Sequence, residues 1–232
     1  MNSEVMALSA AELEERSFIS KVYKWMGFGL LLTALAAYLA SSSESFVYML
    51  AENSMLFYGL IIGELGLVIY LSTRIQKMSA ETAAGAFIVY SILNGLTLSL
   101  VLLMYTGESI ASTFLSTALT FGAMSVYGYF TKRDLTTMGS YLYMALIGLI
   151  IASVVNMFWA NSTLYWIISY VGILIFVGLT AYDTQKIKKI GATVNMDDTQ
   201  TTQKLAIMGA LALYLDFINL FLMLLRVAGS RR

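Results

Sequence analysis

The chain has no cysteine, no histidine and no proline among its 232 residues. Without cysteine there is no disulfide framework, no thiol nucleophile and no thiolate metal site. Without histidine there is no imidazole-ligated zinc and no histidine-based catalytic triad. The usual near-neutral pH switch is missing as well, so any pH response must come from carboxyl groups displaced from their ordinary range by burial or pairing. Lacking proline, a helix break has to come from glycine or an inserted polar group. Charge is also scarce, at 12% of residues, against roughly 25% in soluble domains. The formal charge is zero, from 14 basic and 14 acidic residues, which offers nothing to nucleic acid.

What is present is apolar: 59% of the residues are hydrophobic. A soluble fold is excluded, and the chain reads as an all-α, multi-pass membrane protein. One transmembrane domain, 22–232, follows a polar N-terminal segment, 1–21. That segment carries Glu4, Glu12, Glu14 and Glu15, with no basic region before an apolar core, so it is not a signal peptide. Ser9 followed by Glu12 reads as the capping box of a short solvated helix reaching Arg16. Runs long enough to cross a bilayer, about 20 residues each, fall at 22–40, 55–73, 83–105, 111–130, 141–160, 163–182 and 205–227. Spans five and six meet near Asn161-Ser162 as a tight hairpin, and 183–204 is the one long connection.

Basic residues set the sidedness. Arg16, Lys21 and Lys24 precede or enter span one; Arg74 and Lys77 follow span two; Lys132 and Arg133 follow span four. Lys186, Lys188, Lys189 and Lys204 lie between spans six and seven. Eleven of the 14 positive charges thus share one side, the expected cytoplasmic side, with the N-terminus. Seven crossings place Arg226, Arg231 and Arg232 on the opposite side, against the bias. A re-entrant Leu205–Val227 would bring all 14 inside, but a full crossing is the favoured reading.

Asp216 lies in the middle of Leu205–Val227, where burying a carboxylate costs roughly 2.5–3.5 kcal/mol on insertion scales. Asp183 ends the preceding apolar run. Two such acids on neighbouring helices suit an ion path, a proton switch or an intramembrane catalytic pair. Glu64 falls at the centre of span two, which Arg74 closes, and span seven likewise carries Asp216 and closes with Arg226. Each acid is ten residues, or about 15 Å, from its arginine. Laid antiparallel, Glu64 comes level with Arg226 and Arg74 with Asp216, and Asp183 can join the second group. Plainer roles stand beside these: Asp183 solvated or paired with Lys186 at a helix end, Arg74 as a positive-inside anchor, and Glu64 neutral and hydrogen-bonded between helices.

Asn219 lies one turn beyond Asp216, placed to hydrogen-bond its carboxyl group, and Asn94 and Asn156 read as interhelical glue. Gly122, Gly128, Gly148, Gly172 and Gly178 read as sites of close helix approach. Trp25, Trp159, Tyr165 and Trp166 read as interface anchors. Gly27-Phe28-Gly29 lacks the context of a phosphate loop. Asp197-Asp198 lacks the spacing of an EF-hand and reads as a solvated helix start.

Three segments carry a resemblance. Ala210-Leu-Ala-Leu-Tyr-Leu-Asp216-Phe-Ile-Asn219-Leu-Phe resembles the C-terminal signature of the Bax inhibitor-1 family. Gly178-Leu-Thr-Ala-Tyr-Asp183-Thr-Gln-Lys-Ile is similar to its sixth-helix motif. Phe121-Gly-Ala-Met-Ser-Val-Tyr-Gly128 with Thr131-Lys-Arg-Asp134-Leu is similar to its central segment. The likeness covers nearly the whole chain and points to the bacterial inner-membrane branch. It implies seven helices, the last central and wrapped by two three-helix layers, from spans 1–3 and 4–6. It also implies a pH-sensitive calcium leak, not an enzyme and without a resident cofactor. The gating pair maps onto Asp183 and Asp216, which would touch calcium transiently; Arg74 maps onto a latch, and Glu64 and Arg226 onto an outer-side pair. Calcium takes oxygen ligands, carboxylates above all, and two carboxyl groups in contact do not both ionise cheaply.

Two other readings compete. Bacterial relatives suggest a non-transporting partner that restrains a membrane-bound ATP-dependent protease. An intramembrane aspartyl protease is less suited, because Leu215-Asp216 lacks a Gly-x-Gly-Asp context.

Overall fold

In the computed structural model Asn2–Arg232 are described, with side chains described throughout except for residues 2–11 and Ala51. The elements are α1 (Asn2–Ser41), α2 (Glu44–Glu52), α3 (Ser54–Arg74), a 3-10 turn (Ile75–Lys77), α4 (Ala80–Leu103), α5 (Gly107–Phe130), α6 (Thr136–Trp159), α7 (Ser162–Gly191) and α8 (Thr199–Ala228). No strand occurs among the described residues. Seven of the helices are long and apolar enough to cross a membrane, and α2 is a short extra helix in the connection read as a loop.

Small polar residues start the helices by accepting an otherwise orphaned backbone N–H. Ser79 accepts from the Thr82 amide at 3.1 Å, Asn161 from Leu164 at 2.9 Å and Asp198 from Thr201 at 3.0 Å. Asp198 is thus the solvated helix start expected, and the Thr201 donors hold its carboxyl below the usual aspartate range. The α6–α7 hairpin is as tight as expected. Ala160 adopts a left-handed conformation (φ 46°) and returns its amide to the Asn156 carbonyl. The Asn156 side chain accepts from the Asn161 amide at 2.9 Å, so it closes this turn and does not join distant spans.

Three expected boundaries change. Helix α1 runs unbroken from Asn2 to Ser41, so Ser9 lies inside a helix and is no N-cap; its side chain lies outside the described ones. The lead-in is not wholly solvated either, because Phe18 is fully buried and lies against Gly191. Helix α7 continues through Gly191 and α8 begins at Thr199. The long connection therefore shrinks to 192–198, and Asp183 stands well inside a helix.

The residues form two compact units. The first holds α1–α4 with Lys189–Tyr214. Here α1 meets α4 closely: a side chain at Gly95 would strike the Thr33 carbonyl at 2.5 Å. The second holds Tyr105–Lys188 with Leu215–Arg231. Its apolar centre is Leu149, Ile168, Ile175, Phe176, Leu179, Leu220 and Met223. Spans 1–3 thus fall in one unit and spans 4–6 in the other, as the resemblance implies, and α8 contributes to both. It is also the most buried span, with 67% of its apolar window buried against 44% for α7 and 6% for α6.

Candidate functional site

Asp183 on α7 and Asp216 on α8 both belong to the second unit, and both are buried, at 3% and 4% exposure. Asp183 is therefore not solvated at a helix end. A hydrogen bond joins the two carboxyl groups directly. Ionised carboxylates only accept, so this bond requires a proton on one partner. The Tyr143 hydroxyl, from α6, donates towards both oxygens of Asp183, at 3.3 and 3.4 Å. Asp216 Oδ2 is buried and receives no donor from outside the acid pair. The cluster is a hydrogen-bonded carboxyl pair with one phenol donor, and no donor outside the pair serves Asp216 Oδ2.

Local packing holds Asp183 in place from both sides. A side chain at Gly128 on α5 would lie 2.2 Å from the Ala181 carbonyl, and one at Gly139 on α6 would lie 2.4 Å from the Tyr182 ring. Only glycine lets α5 and α6 come this near to α7. Below the pair, Gln185 accepts from the Leu135 amide at 2.9 Å and donates to the Arg133 carbonyl at 2.8 Å. Lys188 donates to the Tyr129 carbonyl at 3.0 Å and lies 4.5 Å from the centre of the Tyr129 ring. These bonds tie the end of α7 to the last turn of α5 and to the α5–α6 connection. On α8, Phe217 packs edge-to-face on Phe114 and Phe121 of α5, at 5.4 Å in each case.

The other candidates are placed differently. The Asn219 amide donates to the Leu215 carbonyl at 2.8 Å, one turn back on its own helix, so its donor does not serve the Asp216 carboxyl. Arg74 closes α3 with its side chain exposed. Glu64 is buried in the first unit, where the Thr97 hydroxyl donates to Oε1 and Asn94 to Oε2 at 3.4 Å. Asn94 does bridge α3 and α4 as expected. Arg226 belongs to the second unit and lies over the Tyr165 ring, 5.7 Å from its centre. Glu64 and Arg226 are each engaged within their own unit, one by neutral donors and the other by an aromatic face. Close approach holds at Gly128, Gly172 and Gly178, but nothing lies within 4 Å of a side chain at Gly122 or Gly148.

Tyr143 and Thr97 are the two members that sequence reasoning missed. Thr97 carries no signal beyond its place in an apolar run. Tyr143 is one of 15 tyrosines, though it follows Gly139 by four residues and so shares its helix face.

The donor set is all oxygen, which fits a hard cation such as calcium. Among the described residues no cluster of three or more acidic, histidine or cysteine side chains exists. Two carboxylates and a phenol make a place for brief contact, not a cage.

The family model described as "Inhibitor of apoptosis-promoting Bax1" matches residues 15–232. The Escherichia coli K12 protein named "Inner membrane protein YbhL" is 52% identical over 94% of this chain and 93% of its own length. A Borreliella burgdorferi protein is 48% identical over 95% of the chain and 94% of its own. A Streptococcus pyogenes membrane protein is 37% identical over 99% of both. With the motifs around Asp183 and Asp216 set in seven apolar helices, the chain belongs to the Bax inhibitor-1 family of membrane proteins.

Proposed function

We propose that this chain is a calcium leak of the bacterial inner membrane whose conductance is set by the protonation of the Asp183–Asp216 pair. The observation that supports it is the direct hydrogen bond between two buried carboxyl groups on α7 and α8. With one proton shared, the pair ties the two helices together. With that proton gone, two like charges face each other where the dielectric is low, and they either part or take up a cation. A divalent cation meets both demands, since it neutralises the pair and accepts oxygen ligands from Asp183, Asp216 and Tyr143. Asp216 Oδ2, which no donor outside the pair serves, is an oxygen available to it once the pair loses its proton. In this reading the N-terminus is cytoplasmic.

The test is calcium flux through the full chain reconstituted in liposomes over a pH series. Wild type is expected to change its flux with pH. Asp183→Asn and Asp216→Asn should each flatten that profile, and the double variant should add little, because the two acids titrate as one unit. Absence of calcium flux at every pH, or an unchanged profile in both single variants, sinks the proposal.

A further inference from the structure

Arg226 and Arg231 converge on one tyrosine. The Arg226 guanidinium lies over the Tyr165 ring, and Arg231 Nη2 donates to the Tyr165 hydroxyl at 3.2 Å. The segment after α8 is folded back to put Arg231 there. The Ser230 amide donates to the Ser109 hydroxyl at 2.7 Å, the Thr106 amide donates to the Ser230 carbonyl at 3.1 Å, and Tyr105 pairs with Arg231 as an isolated bridge. Gly229 permits the fold-back, since a side chain there would strike the Leu225 carbonyl at 2.4 Å.

Two guanidinium groups gathered on one phenol repel each other, and neither has a carboxylate partner among the described residues. Glu108, in the first turn of α5, is exposed and enters no ion pair among those residues. Beside the arginines, Tyr165 meets Trp166 edge-on at 5.7 Å, and Trp166 stacks on Tyr170 at 6.1 Å. Trp166 and Tyr170 are 43% and 54% exposed. Such exposed amphipathic rings at a span end belong at the level of lipid headgroups.

We propose that Arg226, Arg231 and Tyr165 form a binding site for the phosphate of an anionic membrane lipid. Arginine presents a planar fork matched to phosphate oxygens. Tyr165, whose oxygen accepts from Arg231, keeps its own O–H to donate to the phosphate. The Trp166–Tyr170 stack then lies along the glycerol and upper acyl chain. The site also accounts for arginines at the end of the last span, where the charge bias disfavours them, because the lipid supplies their counter-charge. It does not depend on the leak.

The full chain in detergent is titrated with phosphatidylglycerol, and individual lipid adducts are resolved by native mass spectrometry. Arg231→Gln is expected to weaken the first adduct about fivefold, the worth of one basic group near a lipid surface. Lys132→Gln, which removes equal charge beyond the other end of α5, should leave it unchanged. Equal binding by wild type and Arg231→Gln, or an equal loss in Lys132→Gln, overturns the site. Inorganic phosphate binding the chain as tightly as the lipid overturns the lipid assignment. Should Arg231→Gln fail to fold, Arg231→Lys keeps the charge without the fork: weaker binding supports the proposal and unchanged binding overturns it.

Discussion

Glu64 and Asp216 are both buried acids on apolar helices, yet their surroundings differ in a way that separates their roles. Glu64 has a neutral donor on each oxygen, the closer being the Thr97 hydroxyl, whereas Asp216 Oδ2 is served by no donor outside the acid pair. A satisfied buried acid reads as structure, and an unsatisfied one as a place where something binds or moves. Thr97→Val should therefore destabilise the protein by about 1–3 kcal/mol, the cost of stranding a buried acceptor. Thr97→Ser, which keeps the hydroxyl, should restore most of it. Thermal unfolding in detergent reads the difference, and a valine variant as stable as wild type would show that Glu64 does not rely on this donor. The acids themselves were legible in the sequence, because charge is rare enough in apolar runs to stand out. Their neutral partners were not. A threonine or tyrosine is ordinary in a membrane helix, and only the fold tells which one faces a carboxyl group.

At the scale of helices, the sequence revealed spans by their hydropathy but not where helices stop. Lys186, Lys188 and Lys189 end the apolar run of α7, yet lysine is a good helix former, and Gln185 bonds to the α5–α6 connection and Lys188 to the last turn of α5. The helix therefore continues to Gly191 and carries Asp183 into the interior. Glycines were similarly ambiguous, since composition marks them all and packing needs only some. Gly128→Ala would push a methyl group to 2.2 Å from the Ala181 carbonyl. Backbone cannot swing aside as a side chain can, so α5 and α7 must part, at a cost of about 1–3 kcal/mol. Gly122→Ala meets nothing within 4 Å and should be neutral or stabilise by up to about 1 kcal/mol through helix propensity. Comparing the two melting temperatures checks this, and equal shifts would mean that the α5–α7 contact is not as close as described. Because Gly128 lies against the turn carrying Asp183, its substitution should also disturb the pH profile of flux.

For the whole molecule, the open question was whether the last helix crosses or turns back, and α5 serves as the ruler. Its 24 residues extend about 36 Å. Near its last turn, the Tyr129 carbonyl accepts from Lys188 at the end of α7. In its first turn, Ser109 accepts from the Ser230 amide, just beyond α8. Between Lys188 and Ser230 the chain therefore passes from one end of α5 to the other, which a re-entrant loop cannot do. Burial explains why hydropathy alone left this open: α8 is enclosed by protein, so it tolerates Asp216 and a terminal arginine cluster that a lipid-facing helix would not. An odd number of crossings puts the two termini on opposite faces, and the basic residues of the inner loops favour a cytoplasmic N-terminus. Alkaline phosphatase fused after Arg232 should then be active in cells, while green fluorescent protein at the same position stays dark and at the N-terminus fluoresces. An inactive phosphatase with a bright C-terminal fusion would place Arg226 and Arg231 on the cytoplasmic face and leave the last helix with no crossing.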